Sequence, residues 1–342
     1  MTLGTNFSSV VDIGSEITLV GYYGMDNFGD DLMLKSLLDE FRKHDLRVNI
    51  LAYREVSWLL KEAYPNVKVW IWPDSKIGKF QIFKKASQNS KAVFWGGGTC
   101  FTDEDGDGYF KYMIYAKLLN KKVGYLGVGI GNLSKNSRLF KTKKLINISS
   151  ILTFRDKTSL KKALNWKKKS SKASIELVED PANQTLKVLA SSLPVQTNNN
   201  SLVLAWRDLS DYSNTTIGSE LLPVSEMAIR LCQEYKANRI IIIDTDSVRD
   251  RELSISLKES IERLNGTISV EYNDCKNYEE KLAVINESKV IFTSRLHVAV
   301  AAKYLNKECF VYNYSPKISY FVQEEGNNKI QLIDKDLTIK SA

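Results

Sequence analysis

The run ITLVGYYGMDNFGDDLMLKSLLDEF, residues 17–41, decides the fold. Its opening, Ile17–Tyr23, is a short apolar stretch bounded by glycine, which reads as a buried strand. Its close places Leu34, Leu37, Leu38 and Phe41 at helical spacing, so Asp30–Lys43 reads as a helix with one apolar face. Between them lies a turn punctuated by Gly21, Gly24 and Gly29. A strand, a glycine-bearing turn and a helix make the first step of a parallel α/β sheet.

The same step repeats along the chain. Val48–Tyr53, Val67–Trp72, Ala92–Trp95, Val123–Val128, Ile151–Phe154 and Ile175–Val178 read as further short strands, with helical segments between several of them. The stretch Ala190–Ser201, with Pro194 and the asparagines 198–200, has linker chemistry. After it the alternation restarts. Leu202–Trp206, Arg239–Ile243, Ile268–Tyr272, Lys289–Thr293 and Cys309–Tyr312 are the strands expected there. Leu221–Tyr235, Arg249–Leu264, Tyr278–Glu287 and Leu296–Tyr304 are the helices. Two doubly wound, Rossmann-like domains follow, over residues 1–195 and 201–342, with ligands expected beyond the carboxyl ends of the strands in a cleft between them.

Composition removes several classes. With 342 residues, 43% hydrophobic and 26% charged, the chain is long enough for two cores and too apolar for disorder. Its longest apolar runs fall far short of the ~20 residues that span a bilayer, and the N-terminus lacks a signal-peptide pattern. Four dispersed cysteines argue against a disulfide framework or zinc site and for a reducing, cytoplasmic compartment. Two histidines, His44 and His297, leave little for a poly-histidine metal site. Neither a dinucleotide fingerprint nor a P-loop lysine accompanies the glycines, so no NAD or ATP site is indicated. No cofactor and no metal are expected.

Polar residues gather where the strands end. Asn27, Asp30 and Asp31 follow the first strand, where the carboxylates suit sugar hydroxyls, an acid–base role or a helix cap. Gly96-Gly97-Gly98-Thr99 follows another; three glycines there suggest that something approaches the backbone closely. The acidic stretch Asp103–Asp107 lacks calcium-loop spacing and reads as a mobile loop over the cleft. Gly129 lies in a third glycine-rich strand end, and Arg155-Asp156 close a fourth strand. The C-terminal half supplies cations: Arg207, then Ser294-Arg295-Leu296-His297 at a strand end and helix start, then Lys317. Side-chain cations beside a helix N-terminus suit phosphate or carboxylate.

These strings together resemble the polysaccharide pyruvyl transferases. Gly21-Tyr22-Tyr23-Gly24…Asn27-Phe28-Gly29-Asp30 is similar to the family's opening segment, and Gly96-Gly97-Gly98 to its triple glycine. Gly127-Val128-Gly129-Ile130-Gly131, Arg155-Asp156 with Ser159, and Asp180-Pro181-Ala182 match in the family order. Ser294-Arg295-Leu296-His297 with Tyr314-Ser315-Pro316-Lys317 is the most specific pair. The resemblance implies a GT-B-like fold and transfer of pyruvate from phosphoenolpyruvate to a sugar as a ketal. It implies Arg207, Arg295 and His297 as donor contacts, with Ser294 and Lys317 beside them. The base toward the sugar hydroxyl is left among Asp30, Asp31 and Asp103, and Asn27, Gly97, Gly98, Thr99, Gly129, Arg155 and Asp156 are expected on the acceptor side or in the cleft. Acceptor sugars would be those of a cell-surface polysaccharide or its lipid-linked precursor. A nucleotide-sugar glycosyltransferase and a noncatalytic polyanion-binding protein are the competing readings.

The formal charge of +8 is regional. Residues 1–200 hold 30 Lys/Arg against 19 Asp/Glu, and residues 201–342 hold 18 against 21. Within 111–172 there are 17 basic residues and one acidic residue, Asp156. No nucleic-acid-binding motif lies there. Leu139, Phe140 and Ile146 among the basic residues of 134–148 suggest peripheral contact with anionic lipid at the inner face of a membrane.

Overall fold

The computed structural model describes residues 3–60, 64–104, 106–194, 200–209, 220–334 and 337. Of the expected linker, residues 195–199 lie outside the described residues, as does Asp105 of the acidic stretch. The chain forms two compact units. One comprises Met1–Met25 and Asp30–Thr185, the other Asp26–Gly29 and Leu186–Ala342. The division therefore falls inside a helix, Pro181–Ser192, and not in the proline- and asparagine-bearing stretch that follows it.

In the first unit the strands are β1 (Glu16–Val20), β2 (Arg47–Ala52), β3 (Val67–Ile71), β4 (Ala92–Gly96), β5 (Thr99–Thr102), β6 (Gly106–Asp107), β7 (Lys122–Ile130), β8 (Ile151–Phe154) and β9 (Ser174–Leu177). The parallel sheet runs β3-β2-β1-β4-β7, with β8 and β9 continuing beyond β7. Strand order reverses between β1 and β4, the position where such sheets bind ligands. β4 pairs with Lys122–Leu126 of β7, and β5 takes up the same strand again at Gly129 and Ile130. β4 and β5 are thus one strand path broken at Gly97 and Gly98, both at φ 75°, a conformation that glycine alone adopts readily. The sequence alternation did not register β5 and β6, because four- and two-residue strands carry no period of their own.

The helices of this unit are α1 (Phe7–Val10), α2 (Phe28–Lys43), α3 (Lys76–Ser87), α4 (Phe110–Leu118), α5 (Asn136–Ile148), α6 (Lys157–Trp166) and α7 (Pro181–Ser192). The apolar face of α2 is fully buried, with Leu34, Leu37 and Phe41 at 0% exposure. α5 differs from the sequence reading in one respect. Ile146 is in the core, while Phe140 is exposed, so the apolar component of the basic surface is smaller than its sequence suggested.

The second unit is a parallel sheet in the order β12-β11-β10-β13-β14-β15. Its strands are β10 (Ser201–Ala205), β11 (Arg239–Ile243), β12 (Ser269–Asn273), β13 (Val290–Thr293), β14 (Glu308–Tyr312) and β15 (Ile330–Ile333). Its helices are α8 (Leu221–Glu234), α9 (Arg251–Leu264), α10 (Tyr278–Asn286), α11 (Leu296–Tyr304) and α12 (Pro316–Glu325). β10 and β13 are buried throughout, which is why they read as unbroken apolar runs. Leu204, Ile242 and Phe292 meet the inner faces of α8 and α9 in one core. Order reverses between β10 and β13, so the carboxyl ends of those strands are the natural ligand position of this unit. α12 and β15 extend the sheet beyond the last strand expected from sequence.

Candidate functional site

The cations of the second unit converge at those strand ends. Arg207 follows β10; its backbone N–H donates to Ser294 Oγ at 2.9 Å, and its Nη1 donates to the Tyr314 hydroxyl at 3.1 Å. Ser294, expected among the donor contacts, spends its hydroxyl on holding the Arg207 backbone. The Arg207 guanidinium and the Lys317 ammonium lie 5.4 and 5.3 Å from the Tyr314 ring centroid. Burial would raise the Tyr314 phenol, but Lys317, Arg207 and Arg295 outweigh it and bring it down to about 8. Tyr314 thus reports a field strong enough to favour an anion.

Arg295 caps α11, and its guanidinium pairs with the fully buried Asp250. The other Asp250 oxygen accepts from Thr245 N at 3.3 Å, Thr245 Oγ1 at 3.1 Å and Asp246 N at 3.0 Å. Burial pushes the Asp250 carboxyl above its usual range, opposed by Arg295 and reinforced by Asp246. His297 stands in the first turn of α11 against Gly29, where a Cβ would overlap its Nδ1. Gly29 belongs to the short segment that the second unit takes from early in the chain. Asn27, expected with the acceptor side, is in this segment. It donates to Asp246 Oδ2 at 3.2 Å, and the Phe28 N–H donates to Thr245 O at 2.7 Å. Lys281, fully buried, donates to the Asp26 carbonyl.

In the first unit the glycine motifs interlock with the chain's own side chains. Tyr23 is fully buried, its ring lies against Gly21, and its hydroxyl donates to Gly96 O at 2.8 Å. Gly97 faces Met33, and the Gly98 N–H points at Met33 Sδ at 3.2 Å. The close approach expected at Gly97 is therefore made by protein side chains. Gly98 instead faces a candidate catalytic group, Asp30 Oδ1, which would lie 3.3 Å from a Cβ placed there. Asp31 is buried in the first turn of α2. Arg155 pairs with Asp180 at 2.6 Å and donates to Thr99 Oγ1 at 3.3 Å. Burial disfavours the Arg155 charge, yet Asp180, Asp156 and Asp30 raise its pKa. Asp180 also accepts from Ala182 N, and Asp156 caps α6 through Ser159 N at 2.7 Å and Ser159 Oγ at 2.6 Å. Gly129 donates to Gly98 O at 2.9 Å and is flanked by Thr99, Arg155 and Asp156.

The acidic stretch is held at its two ends where the sequence suggested a mobile loop. Asp103 accepts from Ser134 N and Oγ at 2.6 Å and from Lys135 N at 3.0 Å, and Asp107 pairs with Lys141 at 2.7 Å. Desolvation works to raise the Asp103 carboxyl, but these hydrogen bonds bring it below its usual value. That use as a tether to the start of α5 sets it apart from Asp30 and Asp31. Asp246 and Asp250 went unnoticed in the sequence; their one signal is that the isoleucine run 240–243 ends abruptly in Asp244-Thr245-Asp246.

The fold is shared with solved nucleotide-sugar enzymes. A UDP-GlcNAc 2-epimerase from Neisseria meningitidis, solved with UDP-GlcNAc, is 12% identical, with 93% of this chain and 87% of that one covered at a TM-score of 0.64. The UDP-GlcNAc 2-epimerase of Methanocaldococcus jannaschii is 13% identical, covering 93% and 89% at 0.63. An Anabaena protein solved with UDP and glucose is 13% identical, covering 89% and 82% at 0.56. At such identity the likeness establishes the fold, α/β and GT-B-like, and nothing of the chemistry. No curated protein matches the sequence. The model of the polysaccharide pyruvyl transferase family matches residues 27–316, which include both the Asn27 segment and the Arg207, Arg295 and His297 cluster. The chain belongs to the polysaccharide pyruvyl transferase family.

Proposed function

We propose that the protein transfers pyruvate from phosphoenolpyruvate to a sugar of a cell-surface polysaccharide, or of its lipid-linked precursor, as a ketal. The observation that carries the donor is the convergence of Arg207, Arg295, Lys317 and Tyr314 at the ends of β10, β13 and β14. Phosphoenolpyruvate brings a carboxylate and a phosphate, and charge-assisted bonds to such groups contribute about 1.5–3 kcal/mol each. Arg207 and Arg295 suit bidentate recognition, with Lys317 as a point charge. His297, in the first turn of α11, suits the phosphate at the positive end of that helix.

The reaction adds a proton to the methylene carbon and forms a bond between C2 and one sugar oxygen. The bond from C2 to the phosphate oxygen then breaks, and a second sugar hydroxyl closes the ketal. Of the two hydroxyl protons, one replaces that given to the methylene and the other leaves with phosphate. The cationic centre at C2 and the departing phosphate need a preorganised field. Tyr314, with a phenol brought down to about 8, is suited to deliver the proton, and His297 is the second candidate for that role. Asp30 or Asp31 is proposed as base toward the sugar hydroxyl. The reaction calls for no resident metal or cofactor.

The test is phosphate release from phosphoenolpyruvate by the purified protein. Release should require a glycan acceptor and vanish in Arg295→Ala and His297→Ala variants that remain folded. Thermal stabilisation by UDP- or GDP-sugars, with none by phosphoenolpyruvate, would instead favour a nucleotide-sugar glycosyltransferase. Four buried, unpaired cysteines suit the proposed cytoplasmic setting. No described helix is long and apolar enough to cross a membrane. The proposed membrane contact is peripheral, through the basic residues of 111–172 around the exposed Phe140.

A further inference from the structure

A cavity of about 410 Å³ opens in the first unit at the carboxyl ends of β2 and β3. Tyr53 follows β2, Trp72 follows β3, and Tyr109 and Tyr112 come from the start of α4. We propose that this cavity binds a sugar ring carrying an anionic group, a phosphate or a carboxylate. The inference rests on the pyruvyl-transfer reading in taking that sugar as part of the acceptor.

Its walls are aromatic but not parallel. The Trp72 ring makes angles of 53° with Tyr109 and 44° with Tyr112, and the two tyrosines are inclined at 39°. A flat slot would suit a nucleobase, whereas inclined rings suit a puckered pyranose with C–H groups on both faces. Trp72 is 6% exposed, and its indole Nε1 is a buried donor with no hydrogen-bond partner among the described residues. Such donors are rare in folded proteins. Tyr109 sits at φ 56°, uncommon for so bulky a side chain, with its hydroxyl 2.7 Å from that of Tyr53. Strain of this kind persists where the surrounding structure fixes a side chain for use.

The charge follows from the lysines. Lys79 lies 5.9 Å from the Tyr53 ring centroid and Lys111 lies 4.8 Å from that of Tyr112. Neither makes an ion pair among the described residues, whereas Lys141 neutralises the Asp107 carboxylate that also lines the cavity. Two uncompensated cations beside inclined rings select an anionic sugar over a neutral one.

Calorimetric titration of the full chain tests this with five probes: N-acetylglucosamine 1-phosphate, glucuronic acid, the neutral methyl glycoside of N-acetylglucosamine, inorganic phosphate and uridine monophosphate. One or both anionic sugars should bind, with the neutral sugar and free phosphate weaker by about tenfold or more. Preference between the two anionic sugars distinguishes phosphate from carboxylate. Lys79→Gln with Lys111→Gln should lower the anionic-sugar affinity by roughly tenfold and leave the neutral sugar little changed, while Trp72→Phe should weaken every sugar. No sugar binding, equal binding of inorganic phosphate or uridine monophosphate, or unchanged affinity in the lysine variant would overturn the assignment. Phosphate release from phosphoenolpyruvate, run in parallel, separates the two readings. Sugar binding without release supports the cavity and removes the donor reading. Release with an unchanged acceptor KM in the lysine variant does the reverse.

Discussion

Asp250→Ala is the sharpest test of how the donor site is built. The Asp250 side chain is 1% exposed and the Arg295 side chain 12% exposed, so their pair sits largely out of water. Removing the carboxylate leaves a buried guanidinium without its counter-charge, which costs about 3–5 kcal/mol in comparable pairs. Three further donors, Thr245 N, Thr245 Oγ1 and Asp246 N, lose the same acceptor. Each would add ~1–3 kcal/mol if it stayed dry, but water entering the truncated site offsets much of that. A net loss of about 4 kcal/mol is a large part of a typical stability of roughly 5–15 kcal/mol. It should lower the Tm by roughly 10 °C for a unit of this size. Urea denaturation measures the loss, and Asp250→Asn keeps the shape while setting an amide N–H against the guanidinium. A cycle with Arg295→Met isolates the pair, with a coupling of about 2 kcal/mol or more expected. Loss below ~1 kcal/mol in Asp250→Ala, or a coupling near zero, would refute the claim that Asp250 positions Arg295.

Other tests reach the remaining parts of the two units. Gly29→Ala should displace the His297 imidazole and cut turnover on the order of a hundredfold, with a stability loss of only ~1–3 kcal/mol measured alongside. Ultraviolet difference titration should show one phenol ionising near pH 8 that vanishes in Tyr314→Phe and moves upward in Lys317→Ala. Because folding lowers that phenol from 10.0 to about 8, its stabilising contribution is complete above pH 10, declines as pH falls through that window, and is absent below it. Arg155→Ala should destabilise the first unit by about 3–5 kcal/mol and loosen the start of α7, read by hydrogen exchange at Ala182. Sedimentation with anionic vesicles should capture the wild type and not a Phe140→Ser, Lys143→Glu, Lys144→Glu variant; equal capture would end the membrane proposal.

The fold was legible because parallel strands buried on both faces must be apolar throughout, as in Ile240–Ile243 and Val290–Thr293. Helices such as α2 announced themselves by a face that had to reach the core. β5 and β6 were illegible for the opposite reason, since their pairing with β7 is fixed by the break at Gly97 and Gly98 and not by any pattern of their own. At the candidate site, the cations were visible as charges interrupting apolar strands. What holds them was not visible. Asp250 is far from Arg295 in sequence, and only the turn after β11 brings the two together. The glycine strings misled in one respect, because a sequence records that a backbone is approached closely without saying whether a ligand or a residue such as Tyr23 approaches it.

The chain enters the second unit at Asp26, leaves it after Gly29 and returns only at Leu186, so neither unit is one uninterrupted piece of sequence. A fragment starting at Leu186 would lack the Asp26 carbonyl to which Lys281 donates, leaving a fully buried ammonium without that acceptor. It would also strip Asp246 of Asn27 and free the Thr245 carbonyl. Halves of this protein are therefore poor cassettes. Recombination that exchanged the C-terminal half for that of a homologue would have to carry the four residues Asp26–Gly29 as well, or find a host whose own matching loop already fits.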